Sequence, residues 1–187
     1  MVRSNLPSID VPSTPSLESE SFLNVHFVLP RSDAHGPGTR AVIWLQGCTL
    51  GCAGCFSHST HAGGTGVFQP VAKLLSDLER SDGEIEGVTV SGGEPMQQPE
   101  SLLAFFQEVR ARTSLSVVMS TGYEVAEIHG QPLGPRILDL VDVVVAGRFD
   151  RSRALACSFL GSANRRVYLL TERYSAFDIA DAVEGVL

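Results

Sequence analysis

Three cysteines fall within eight residues, Cys48, Cys52 and Cys55, in the spacing Cys-x-x-x-Cys-x-x-Cys. A glycine stands directly before each: Gly47, Gly51 and Gly54. On a helix the three thiols would share a face. Each glycine, however, costs a helix about 1 kcal/mol relative to alanine. The segment therefore reads as a loop wrapped tightly around a bound group, with backbone amides close to sulfur. Clustered thiols in a chain without a disulfide framework point to a metal. Two metal groups fit the spacing. Three thiolates can hold an iron–sulfur cluster and leave one iron open, which marks a reactive site rather than a structural one. Alternatively, His58 or His61 completes a Cys3His zinc site, and the chain is a binding module without catalysis. The fourth cysteine, Cys157, lies about a hundred residues downstream and reads as a free, partly buried thiol.

Two further short runs stand out. Ser91-Gly92-Gly93-Glu94-Pro95 closes an apolar run, and Ser120-Thr121-Gly122-Tyr123 closes another. Alone, Gly-Gly followed by Pro is also an ordinary turn signal.

Elements must exist to carry these runs. Apolar strands are expected over residues 21–29, 39–46, 87–93, 115–122, 142–149 and 164–171. Helices are expected over 69–81, 99–113, 124–128, 135–141 and 176–186. In the first of these, Val71, Leu74, Leu75 and Leu78 give the apolar stripe. Strand alternating with helix implies parallel pairing through right-handed crossovers. Five or six strands are too few for a closed eight-stranded barrel. The expected fold is α/β, a partial, open (β/α) barrel of mostly parallel strands, with its site at the carboxyl ends of the strands.

Length and composition bound the rest. At 187 residues one domain is expected, over 21–187, after a mobile tail over 1–20 that is rich in Ser, Pro and Glu. Hydrophobic residues at 43% and charged residues at 19% exclude global disorder. The net charge is −7 and no basic cluster exceeds two residues, which disfavours a nucleic-acid backbone as partner. No apolar run approaches the roughly 20 residues of a membrane span, and no signal core opens the chain. A cytoplasmic protein without a membrane partner is expected.

With the cysteine spacing and Gly92-Gly93-Glu94-Pro95 in place, the chain resembles the radical S-adenosylmethionine superfamily. More closely, it resembles the activating proteins of anaerobic ribonucleotide reductase. These are similar in the cysteine loop 47–61, in the strand end 120–123, in the late strand 143–149 and in the Gly-Ser-x-Asn run 161–164. The resemblance covers about residues 22–170. Three positions depart from the family's common pattern. Ala146 stands where an acidic residue is frequent, Leu160 where an arginine is, and Arg165 where a glutamine follows the asparagine.

The resemblance implies a fold of the radical S-adenosylmethionine type and a 4Fe–4S cluster on Cys48, Cys52 and Cys55. S-adenosylmethionine would be bound on the open iron. Ser91, Gly92, Gly93 and Glu94 would receive its methionine end, with the glycines leaving room for it. Phe56 would pack on the adenine, and Thr121 and Gly122 would line the adenosyl pocket. His58 and His61 would face the cluster surroundings, the substrate or solvent. The implied activity is reductive cleavage of the cosubstrate to a 5′-deoxyadenosyl radical, which takes a hydrogen atom from a glycine of a large glycyl-radical enzyme. A radical enzyme acting on a small molecule or peptide is the alternative. A one-electron donor such as flavodoxin or ferredoxin is implied in either case.

Overall fold

The structure is a computed structural model that describes residues 20–156 and 158–184. The expected tail, save its last residue, and Cys157 lie outside them. Seven strands form one open sheet: β1 (Phe22–Ser32), β2 (Arg40–Leu45), β3 (Val67–Pro70), β4 (Gly87–Gly92), β5 (Ser116–Ser120), β6 (Val143–Ala146) and β7 (Arg166–Leu169). Their order is β3-β1-β2-β4-β5-β6-β7. The helices are α1 (Val71–Ser81), α2 (Pro99–Arg112), α3 (Val125–His129), α4 (Gly134–Leu138) and α5 (Ala176–Glu184). The expected mixed α/β fold with an open sheet is thus present.

The four central strands, β2, β4, β5 and β6, are parallel, as the alternation predicts. The flanks are not. β1 pairs antiparallel with both β2 and β3, and β7 pairs antiparallel with β6. The reason is chain length. A parallel connection needs a dozen or more residues, usually with a helix, and the short link between β1 and β2 can only turn back. β3 is an element that the sequence reading folds into the start of the first helix. It is short, and Pro70 ends it where α1 begins.

Alternation along the strands separates two faces. Ile43, Leu45, Val88, Val90, Val117, Met119 and Val144 pack with Leu74, Leu75 and Leu78 of α1 and with Leu102, Phe105, Phe106 and Val109 of α2. This single apolar layer fixes the sheet against its helices. Parallel register aligns Leu45 with Gly92, and Ser120 with Val145. The carboxyl ends of the parallel strands therefore finish side by side.

At the opposite end, Arg40 is fully buried. Its guanidinium donates to Thr89 Oγ1 at 2.9 Å, Pro37 O at 2.8 Å, Ser116 Oγ at 3.0 Å, Tyr174 Oη at 3.0 Å, Val88 O at 3.0 Å and Ser116 O at 3.1 Å. Gly87 leaves the room, since a Cβ there would run into Ser116 and Arg40. An adjoining cavity of about 310 Å³ is lined by Asp33, Glu86, Asp178 and Asp181 but by no thiol or imidazole. Arg40→Ala should lower stability by at least about 3 kcal/mol, because it orphans several buried acceptors and leaves a void. Urea unfolding measures this, and an unchanged midpoint would show that the arginine is not a structural crosslink.

Candidate functional site

The chain leaves β2 at Gln46 and returns in β3 at Val67. Between them runs the cysteine loop. Gly47, Gly51 and Gly54 all have positive φ, at 102°, 66° and 68°. Each left-handed residue reverses the chain just before a cysteine, which only glycine does at little cost. Gln46 holds the loop closed: its Nε2 donates to Ser59 O at 3.0 Å, Ala62 O at 2.8 Å and Thr65 Oγ1 at 2.9 Å. Its Oε1 meets His26 Nδ1 at 2.7 Å. Gly47 N donates to Thr60 O at 2.7 Å, and Cys48 N to His61 O at 3.1 Å. Gln97 fastens the outer side, accepting from Thr49 N at 3.1 Å and donating to Thr49 Oγ1 at 2.8 Å.

The end of β4 runs against this loop. Gly93 N donates to Leu45 O and Glu94 N to Gly47 O, both at 2.8 Å. The approach is too close for side chains. A Cβ on Gly92 would lie 2.5 Å from Leu45 N, and one on Gly93 would strike Gly47 O. The glycines are thus required by the neighbouring backbone itself, a reason that the sequence alone did not give.

Glu94 is buried, with 1% of its surface exposed. Its Oε1 accepts from Met96 N at 2.9 Å and Thr121 Oγ1 at 2.7 Å, and its Oε2 accepts from Gly122 N at 2.8 Å. Burial pushes its pKa up; the bonds from Thr121, Met96 and Gly122, and the charge of Arg165, pull it back. Thr121 and Gly122 thus spend their donors on Glu94 and form a wall of the pocket.

Cys48, Cys52, Cys55, Phe56, Ser91, Gly92, Gly93, Glu94, Thr121 and Gly122 all line one pocket of about 90 Å³. The structure therefore brings the three cysteines and both strand-end runs into one pocket. His61 also lines it, while His58 stacks on His61 with ring centroids 4.9 Å apart. Phe56 lies at the rim, 74% exposed, with its ring edge-on to Phe149 at 5.1 Å. Sequence reasoning missed Leu50 in the lining, and met Phe149 and Gly161 only within the runs 143–149 and 161–164. It met Arg165 only as a departure from a pattern.

The donor set fits an iron–sulfur cluster. Three free, half-buried thiols face one pocket beside a glycine cradle. Burial pushes the Cys48 thiol up, and binding to iron would overcome that by stabilising the thiolate. Among the described residues no three His, Cys, Asp or Glu side chains converge as one metal ion requires. A cluster instead takes each thiolate on a separate iron.

Comparison with known proteins gives the same direction. Residues 34–168 match the family described as 4Fe-4S single cluster domain. The anaerobic ribonucleoside-triphosphate reductase-activating protein of Vibrio cholerae is 31% identical over 157 residues, spanning 80% of this chain and 99% of that protein. The protein of the same name from Pasteurella multocida is 30% identical over 151 residues, 76% of this chain and 95% of its own. That of Escherichia coli K12 is 29% identical over 157 residues, 79% and 99%.

Two substitutions test this geometry. Gly93→Val should reduce iron uptake as well as cosubstrate binding, because it displaces Gly47 at the root of the cysteine loop. Iron per chain after anaerobic reconstitution is the readout, and full iron would limit the glycine's role to ligand space. Glu94→Gln should cost about 1–3 kcal/mol in thermal unfolding, since an amide N–H₂ would oppose a donor that the carboxylate now satisfies.

Proposed function

The chain belongs to the family of anaerobic ribonucleoside-triphosphate reductase-activating proteins, within the 4Fe-4S single cluster domain, and from this we propose that it installs a glycyl radical on a partner reductase. It is a radical S-adenosylmethionine enzyme with a 4Fe–4S cluster. When bound, cluster and cosubstrate together supply one-electron cleavage of the sulfonium to methionine and a 5′-deoxyadenosyl radical.

In this reading Cys48, Cys52 and Cys55 hold the cluster, and the fold is the partial barrel of radical S-adenosylmethionine enzymes. The observation that carries it is the single pocket where the three thiols meet the ends of β4 and β5. Ser91, Gly92, Gly93 and Glu94 receive the methionine end, and the short side chains there leave backbone groups within reach. Thr121 and Gly122, fixed by Glu94, form the wall along which the adenosyl part lies. Leu50 and Phe149 add apolar surface that limits water in the pocket.

A larger cavity of about 440 Å³ adjoins the pocket and shares Phe56, Ser57, Ser91, Ser120, Gly161 and Arg165 with it. A polypeptide loop of the reductase enters through this cavity. A small one-electron donor such as flavodoxin or ferredoxin reduces the cluster. The net charge of −7 disfavours nucleic acid as a partner, and among the described residues no helix is long and apolar enough to cross a membrane.

Anaerobic reconstitution should yield about four irons and four sulfides per chain. Reduced protein should then release 5′-deoxyadenosine from S-adenosylmethionine. With an anaerobic ribonucleotide reductase present, a glycyl-radical signal should appear in the electron paramagnetic resonance spectrum. Cys52→Ala should abolish iron, product and signal together. Full iron retention in that variant would overturn the ligand assignment; product without a signal would overturn the partner.

A further inference from the structure

Arg165 stands in the wall between the thiol pocket and the larger cavity and lines both. Its Nε donates to Gly147 O at 2.9 Å and its Nη1 to Leu160 O at 2.9 Å. Its Nη2 donates to Ser120 Oγ at 3.1 Å, Thr121 O at 2.8 Å and Val145 O at 2.8 Å. Every one of these acceptors is neutral. Glu94, the acid nearest in effect, already has all three of its donors elsewhere. The guanidinium is well solvated by dipoles, yet its charge is not cancelled by contact with a carboxylate.

Such a placement is expensive unless a negative charge belongs nearby. Burial pulls the Arg165 pKa down, while Glu94, Cys52 and Glu124 act through space to raise it. Cys52 is negative only as a thiolate, the form in which it binds iron. The contrast with Arg148 is informative. That residue also feels Cys52, but it is ion-paired to Glu127 at 2.8 Å, with 42% of its side chain exposed. Its charge is paired in contact with a carboxylate; that of Arg165 meets Glu94 only through space.

We propose that Arg165 sets the reduction potential of the cluster, its positive charge, set in the wall of the thiol pocket and in contact with no carboxylate, favouring the state that has accepted the electron. The proposal rests on the cluster being held by Cys48, Cys52 and Cys55. Reduction makes a thiolate-held cluster one charge more negative, and a fixed cation in a partly desolvated wall lowers the cost of that step. Arginine suits the task because it stays charged under desolvation and has donors enough to be anchored by carbonyls. None of its hydrogen bonds goes to a thiol. It acts through its field and through the strand ends that it holds.

The test is a redox titration of the reconstituted full-length chain without cosubstrate, followed by electron paramagnetic resonance. Arg165→Gln, with iron content equal to wild type, should have a more negative midpoint potential. Arg165→Lys, which keeps the charge, should return most of the way to wild type. Arg148→Gln should shift the midpoint less than Arg165→Gln. A wild-type midpoint in Arg165→Gln at full iron content would overturn the proposal, as would equal shifts in both glutamine variants. If Arg165→Gln holds no iron, Arg165→Met takes its place. Loss of iron in every variant at 165, the lysine included, would show a purely structural crosslink and also overturn the proposal. Iron loss in Cys52→Ala tests the ligand assignment separately, so the two readings fail by different measurements.

Discussion

The carboxylate of Glu94 receives a hydrogen bond from Met96 in its own turn and two more from Thr121 and Gly122 at the end of β5. Its backbone N–H reaches Gly47, where β2 gives way to the cysteine loop. One buried acid thus joins three strand ends. A carboxyl group so deeply buried is tolerable only while its partners stay in place. The positions of the loop, the glycine turn and the β5 turn are therefore coupled: none can drift without leaving a buried polar group unsatisfied. The walls of the pocket inherit their precision from this constraint rather than from the loops themselves.

Two arginines work at opposite ends of the same sheet. Arg40 binds carbonyls and hydroxyls at the amino ends of β4 and β5, and Arg165 does so at the carboxyl ends of β5 and β6. Both use the planar fork of donors to tie adjacent strands where the ladder runs out. Burial pulls both below the usual range. They differ in what lies beside them. Arg40 meets the hydroxyl of Tyr174 and has Asp142 and Glu86 within electrostatic reach, whereas Arg165 has Glu94 and Glu124 within reach and lines the thiol pocket.

The site was largely legible because its chemistry is written in residue types that are rare and local. Cys48, Cys52 and Cys55 with their glycines, and the run from Ser91 to Glu94, needed no tertiary knowledge to be singled out. The four central strands were also legible from continuous apolar runs and the helices between them. The antiparallel flanks were missed because apolar content reports burial, not direction; the short β1–β2 link was the available clue. β3 was missed because four residues ending in proline give no periodicity. Phe56 shows the limit of local reading. Its neighbour Phe149 is distant in sequence, and only the fold brings the two rings together. Gly93 was singled out for ligand space; that Gly47 O also comes near it follows only from the β2–β4 register.

The cysteine loop leaves from β2 and returns into β3, which lies across β1 from it in the sheet. Its two ends are therefore held roughly 10 Å apart by strand pairing alone. Closing a free loop of about twenty residues costs on the order of 2–3 kcal/mol. Here the β1–β3 ladder, together with Gln46 and Asn24, meets that cost in the polypeptide itself. Ordering of the thiols is thus separated from arrival of iron. A chain stripped of its inorganic part keeps its sulfurs tethered within a short distance of one another, so refilling it is an encounter between a folded protein and iron and sulfide, not a refolding reaction.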